Sequence, residues 1–515
     1  MSTREIVVSD SGLFIPIAKE KEKKTLSFFC KGEKILELEV PVDMQEKTTK
    51  DPYRFDYMVH VPFSDCQGEC ITISGEVSQE FLEAVSTRET VPGKQERHPK
   101  IHFSPDTGWI NDPNGLVYDH GVYHLYFQYN PFDTQWENMS WGHGVSTDLL
   151  HWKQEETVMY PDEEGTVFSG CAIKNDRKML GLPEDALLFC YTCAGGTSRW
   201  SAGRPVTQKY AYSTDQGKTL RRIKEPVLPM FSKENRDPKI FWHEESNAYI
   251  MVLYLDQNAF LILRSEDLTD WKQSQEISFE KAWECPDLFC LQTEEGDTKW
   301  VFQTADGFYY LGDFDGYTFE TDGIRKESYV TKLPYAAQTY ANVEDRTISI
   351  AWLRTQNEGK NYTGVMALPK ELSLVKKENE YLLCQRPVRE YQETRKLMEQ
   401  VRMKEREVYC YQMSERDVAR EICSKQERPG DIQWNILGNI VEYQPETGML
   451  QFGENKVQIL TGMTEFSIIV DCGIYEIIGG NGIIVAVFES DADNGQNRIS
   501  VVSQEKQNLQ IYEVS

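Results

Sequence analysis

Short apolar or alternating runs of about four to eight residues, cut apart by polar turn-forming pieces, recur along the whole 515-residue chain. A period of two over such lengths predicts strands, so the chain reads as all-β. In residues 1–95 the runs are Gly12–Ile17, Thr25–Phe29, Ile35–Val40, Tyr57–Val61 and Cys70–Ile73, separated by charged pieces such as Lys19–Lys24 and Met44–Tyr53. They predict a small sandwich-like module, and the polar, Pro-bearing segment Val91–Pro99 reads as a linker. Residues 99–375 carry many short strands rich in Trp, Tyr and Phe. Residues 376–405 are highly charged, and the Glu/Lys/Arg spacing of Arg386–Lys404 predicts an exposed helix or linker. Over 406–515 the β pattern returns, at Ile432–Leu437, Gly448–Phe452, Val457–Leu460, Phe466–Asp471, Gly482–Phe488, Arg498–Val502 and Leu509–Val514. This predicts a second, larger β-sandwich.

The middle region repeats. Ser146-Thr-Asp-Leu-Leu-His-Trp152 recurs as Ser265-Glu-Asp-Leu-Thr-Asp-Trp271, with looser copies at Ser213–Leu220 and Gly312–Phe319. Each follows a strand-like run, and a Ser/Asp turn closed by an aromatic suits a hairpin between outer strands of a propeller blade. Their spacing of roughly 45 to 70 residues fits four-stranded blades with loops, about five in all. Inner strands of a propeller converge on a central funnel, so acids distant in sequence can meet there.

Composition narrows the partners. The formal charge of −27 would repel nucleic acid and anionic membrane, and it favours a neutral or cationic ligand. No run of about 18 apolar residues is present, and the first residues lack a charged and then apolar leader. A cytoplasmic protein is therefore expected, or a secreted one if a leader has been removed. Twelve scattered cysteines fit a reducing compartment. Neither Cys190/Cys193 nor Cys66/Cys70 is followed by zinc-type spacing, so no metal site is expected.

Three acids occupy matching settings: Asp112 in Asn111-Asp-Pro-Asn-Gly115, Asp237 in Arg236-Asp-Pro-Lys239 and Glu284 in Trp283-Glu-Cys-Pro-Asp287. Each is followed within two residues by proline and then by an apolar strand. Alone, Asn111–Gly115 would be an Asx turn. Three such acids in a repeat domain point to one rim of a funnel. Carboxylates sharing a cavity repel, which keeps one protonated beside an ionised one, the pairing that glycosidic cleavage requires. Trp109, Trp136, Trp141 and Trp283 offer flat faces for sugar rings.

These stretches, with His102-Phe-Ser-Pro105, Leu125-Tyr-Phe-Gln-Tyr-Asn-Pro131, Trp141-Gly-His-Gly144, Phe168-Ser-Gly170 and Tyr335-Ala-Ala-Gln-Thr339, resemble glycoside hydrolase family 32, the family of invertases, inulinases and levanases. The resemblance runs from about 98 to 390. It implies a five-bladed propeller followed by a β-sandwich, and retaining, exo-acting release of fructose from β-fructofuranosides without cofactor or metal. Asp112 would be the nucleophile, Glu284 the general acid/base and Asp237 the transition-state stabiliser. Asn111, Gln128, Trp136, Phe168, Ser169, Arg236 and Trp352 would line the fructose pocket. Two departures stand out: Lys332-Leu-Pro334 replaces an acid expected before Tyr335, and Tyr362-Thr-Gly364 replaces an aromatic-Arg-Gly. Both bear on leaving-group preference. Fructosyl transfer by the same residues and a non-catalytic fructan-binding propeller are the alternatives. A homo-oligomer, with either sandwich near the funnel mouth, is left open.

Overall fold

A computed structural model describes the chain apart from residues 9–11, 45–52, 90–95, 294–295, 378–379, 414, 416–417 and 491–495. Most of the Met44–Tyr53 piece, and the first five residues of the segment expected as a linker, lie outside the described residues.

Five antiparallel sheets form the propeller. Their first, innermost strands are Gly108–Asp119, Thr166–Lys174, Arg236–His243, Asp287–Gln292 and Pro334–Thr339, in blades I to V. Neighbouring first strands pack side by side, I on II, II on III, IV on V and V on I. The ring is closed by backbone hydrogen bonds. Tyr118 N donates to Ala341 O (3.0 Å), Ala341 N donates to Leu116 O (2.9 Å), and Tyr362–Thr363 runs parallel to Gly108–Trp109. Closing the ring satisfies edge groups that an open sheet would expose.

The repeated Ser/Asp segments sit where the sequence placed them, between the third and fourth strands of blades I to IV. Asp148 Oδ1 accepts from Leu150 N and His151 N at 3.0 and 2.8 Å, and Asp267 Oδ1 from Thr269 N and Asp270 N at 2.8 and 2.9 Å. Against the effect of partial burial, these N–H groups hold the Asp148 carboxyl down at about 2. The acids are therefore structural caps.

The stretch expected as helix or linker is mostly strand, broken by a short 3₁₀ turn at Arg389–Gln392. Glu380–Pro387 is the outer strand of blade V, so that blade extends beyond residue 375. Arg395–Met403 pairs with Gln507–Val514 at the edge of the sandwich. Lys396 and Arg402 are exposed on this edge strand, Arg395 is part-buried and pairs with Glu421 at 2.8 Å, and the buried end residue Met403 joins the sandwich core. Charge spacing alone does not separate such an edge from an exposed helix. The C-terminal unit is two six-stranded sheets around Trp434, Tyr443 and Phe466. The N-terminal module packs a four-stranded and a two-stranded sheet on one core, with a short helix Gln79–Ala84 capped by Ser78, which the strand pattern did not foretell.

Two junctions matter for the site. Between propeller and sandwich lies a buried ionic network: His102 contacts Asp471 (3.0 Å) and Glu476 (3.3 Å), and Lys370 Nζ pairs with Glu476 at 2.6 Å. Between the N-terminal module and blade I, Phe132 enters the module's core, and Asn138 bonds the backbone of Glu39 in both directions (2.8 and 2.9 Å). Lys23 pairs with Asp133 at 3.1 Å. These three contacts grip the loop that carries Trp136.

Candidate active site

The first strands of four blades lose regular register at the rim. The shifts fall between Ile110 and Pro113, Phe168 and Gly170, Arg236 and Lys239, and Tyr335 and Gln338. Blade IV achieves the same end with left-handed backbone at Glu284 (φ 47°) and Cys285 (φ 39°), as does Asp237 (φ 61°). Bulges and left-handed residues re-aim side chains that a flat strand would point into the sheets, and they concentrate where function needs them. In blades I, III and IV local sequence explains the irregularity, since Pro113, Pro238 and Pro286 each lack the N–H a regular ladder would use.

Side chains from blades I to V meet here. Ser169 Oγ donates to Asp112 Oδ2 at 2.6 Å. Cys285 Sγ lies 3.4 Å from Asp112 Oδ2 and 3.5 Å from Asp237 Oδ2, and Cys285 N donates to Asp237 Oδ2 at 3.1 Å. Arg236 Nη2 donates to Glu284 Oε1 at 2.6 Å, with its Nε 3.8 Å from Asp237. Its guanidinium lies 4.6 Å from the Tyr254 ring centre. Tyr335 OH donates to Glu284 Oε2 at 2.9 Å. The three sequence-predicted acids thus belong to one contact network, with Ser169 and Arg236 inside it.

The other expected residues form its walls. Trp109 Nε1 donates to Asn111 Oδ1 at 3.0 Å, and Trp352 packs edge-on against Trp109 (5.8 Å) and Tyr335 (6.2 Å). Gln128 Nε2 donates to Val167 O at 3.0 Å, behind Phe168. The Phe168 ring meets that of Trp136, which is 47% exposed and free to face a ligand. Trp141 is different. It is fully buried among Tyr126, Phe189 and Tyr191, so it builds the core and offers no face to a sugar. Tyr335, Cys285, Tyr254 and Thr192, which accepts from Asp237 N at 3.0 Å, were not singled out as site residues. Tyr335 and Cys285 fall within motifs quoted for the family. Thr192 and Tyr254 lie on second strands with no local mark.

Burial pushes the Asp237 carboxyl up to about 7; Arg236 opposes the shift, and Glu284 and Asp112 reinforce it. Asp112 is raised too, by burial first and then by Glu284, against the Ser169 hydrogen bond. A carboxyl raised in the folded state carries no penalty below about pH 4, where it is protonated folded or unfolded, and the full penalty above about pH 7. Asp237→Asn is therefore expected to stabilise the protein increasingly from pH 5 to pH 8.5, by on the order of a few kcal/mol, while abolishing activity. Melting temperatures of variant and parent at the two pH values check this; a gain that shrinks with pH would contradict it.

Gly170 keeps Ser169 in place. A β-carbon there would come 2.0 Å from Cys190 O and 2.6 Å from Tyr191 Cα, both backbone atoms. Gly170→Ala is expected to cost about 1–3 kcal/mol and to lower activity by displacing Ser169 from Asp112. Thermal melts and initial rates measure both effects, and a variant unchanged in each would show that the strands can part.

Carboxylates converging on the rim of a propeller funnel are groups of the kind that cleave glycosidic bonds. The model of the glycosyl hydrolases family 32 N-terminal domain matches residues 102–387, more than half of the chain, which therefore belongs to glycoside hydrolase family 32. A levanase of Bacillus subtilis is 33% identical over 334 residues, covering 58% of this chain and 48% of the levanase. A fructan beta-fructosidase of Streptococcus mutans is 34% identical over 332 residues, 58% of this chain and 22% of that protein. The chain thus spans about half, or less, of these relatives' lengths. Among solved structures, exo-inulinase from Aspergillus awamori superposes with a TM-score of 0.72 at 23% identity, over 82% of this chain and 99% of the inulinase. A family 32 glycoside hydrolase from Bifidobacterium adolescentis has a TM-score of 0.68 at 18% identity, over all of this chain and 99% of its own. The two share the fold.

Proposed function

We propose that the protein releases fructose from β-D-fructofuranosides, fructans such as levan or inulin and also sucrose, by exo-acting, retaining hydrolysis. The observation that carries this reading is the contact network from Ser169 through Asp112, Cys285, Asp237 and Arg236 to Glu284. Asp112 attacks the anomeric carbon while Glu284 protonates the departing oxygen; Glu284 then activates the water that frees fructose. Asp237, beside Arg236, binds hydroxyls of the ring at the transition state. Asn111, Gln128, Trp136, Phe168, Ser169, Arg236 and Trp352 hold the fructosyl unit. Relatives named levanase, fructan beta-fructosidase and invertase support the substrate class. The charge of −27 supports a neutral sugar. Buried, unbridged thiols at Cys30, Cys66, Cys171, Cys190, Cys193 and Cys285 support work in a reducing compartment such as the cytoplasm.

Incubation with sucrose, inulin and levan, with early products resolved, tests the proposal. Fructose alone, first formed with retained anomeric configuration, is expected. A ladder of oligomers would mean internal cleavage, and an inverted first product would rule out the two-step route.

A further inference from the structure

The first strands of blades III and IV pack less closely than the other four neighbouring pairs, and polar groups bridge them. At the rim, Cys285 N donates to Asp237 Oδ2 (3.1 Å) and Arg236 Nη2 to Glu284 Oε1 (2.6 Å). Two residues further along each segment a second bridge follows, in which Lys239 Nζ pairs with Asp287 Oδ2 at 3.1 Å. Lys239 Nζ also donates to Thr339 O (2.6 Å) and Thr339 Oγ1 (3.1 Å) on blade V. Asp287 Oδ2 in turn accepts from Thr339 N (2.7 Å) and Thr339 Oγ1 (2.8 Å). Three blades thus meet in one knot of charge-assisted bonds, a step deeper than the acids.

Lys239, Asp287 and Thr339 are each at most 7% exposed, so they lie beneath the surface a sugar would meet. A lysine is rarely buried this deeply, and its three donors here find three acceptors. Apolar side chains would pack the blades as well, since a buried ion pair adds little net stability. What the ammonium supplies is a span of fixed length across the loosest junction of the ring. Gln338 Nε2 donates to Cys285 O at 3.0 Å, so blade V grips the segment after Glu284 on both sides of Pro286. On blade III, Asp237 stands in the irregular stretch at φ 61°, and regular pairing with the second strand resumes at Lys239, opposite Val252. Lys239 is therefore the fixed point from which Asp237 is aimed.

We propose that Lys239 is a positioning residue for the acids: by tying blade III to blades IV and V, it sets the distance of Asp237 from Glu284. This rests on the fructoside reading, in which Asp237 holds ring hydroxyls at the transition state while Glu284 moves the proton. Lys239 touches neither sugar nor reacting atom and acts only through the backbone that carries Asp237. A displacement of about 1 Å in a group that works at the transition state costs about 100-fold in rate. Substrate binding, shared among many walls of the funnel, changes far less.

Steady-state kinetics on the β-fructoside that the parent cleaves fastest, with a thermal melt of each variant, tests this. Lys239→Met is expected to lower kcat about 100-fold and to leave KM within about threefold. It also strands the buried Asp287 carboxylate, so its melting temperature falls. In Lys239→Met/Asp287→Asn that charge is gone, while the asparagine carbonyl still accepts from Thr339 N. The melting temperature is then expected to recover, with kcat still about 100-fold down. A double variant whose kcat recovers along with its melting temperature would reduce the pair to charge balance and overturn the assignment. So would a parent-like kcat in Lys239→Met, a loss carried wholly by KM, or a double variant that does not fold. Fructose release by the parent from sucrose, inulin and levan is scored first. Its absence would sink the fructoside reading and this inference with it, whereas an active parent and an equally active Lys239→Met would sink this inference alone.

Discussion

Asp112→Ala is expected to reduce fructose release by roughly 10⁴-fold or more while the fold survives. The acid is half-buried, and its side-chain contacts are with groups of the site, Ser169 Oγ and Cys285 Sγ among them. No blade leans on it. Its carboxyl is already raised by burial, so removing it relieves a desolvation cost and leaves the melting temperature level or higher. Chemistry and stability therefore separate at this residue. Initial rates on sucrose together with a thermal melt measure the two. Residual activity within tenfold of the parent would remove Asp112 from the nucleophile's role, and a collapsed melt would show it to be structural.

Glu476→Gln carries the largest expected effect on stability. Glu476 is fully buried and accepts from Lys370 Nζ (2.6 Å), Leu368 N (2.9 Å) and His102. Burial opposes its charge, but Lys370 and His102 win and hold its carboxyl down at about 2. His102 is likewise kept charged against burial, its pKa raised to about 9 by Asp471 and Glu476. Neutralising Glu476 leaves the buried Lys370 ammonium without its carboxylate and takes from His102 one of its two, with Asp471 remaining, which costs about 3–5 kcal/mol. Calorimetry should show the sandwich and propeller melting apart at a lower temperature. In the parent, the raised His102 contributes fully below pH 6.5 and is lost as pH rises through about 9. The depressed acid contributes fully above 4.5 and is lost as pH falls through about 2. The junction is thus strongest between about pH 4.5 and 6.5. A Gln variant that melts like the parent would show that the network contributes nothing net.

Asp112, Asp237 and Glu284 were legible because each stands before an apolar strand with a proline near, and the same setting creates the irregular backbone that aims it. The blade hairpins were legible for a similar reason, since Ser146–Trp152 and Ser265–Trp271 are local caps whose partners lie within a few residues. What depends on distant chain was not. Arg395–Met403 is a strand because Gln507–Val514 lies beside it, a fact no window of its own charges contains. Trp141 looked like a sugar face but is walled in by blade II. Thr192 and Tyr254 enter the site from second strands, where their neighbours in sequence are core residues.

The grip of the N-terminal module on the Phe132–Asn138 loop makes the mouth of the funnel a shared possession. Phe132 lies at one end of that loop in the module's core, Asn138 lies at the other end on Glu39, and Trp136 is slung between them. A propeller cut free of its first 95 residues would keep every acid and lose the tether on one wall. Exchanging that module between relatives would then retune what enters the funnel without touching a single residue that makes or breaks a bond.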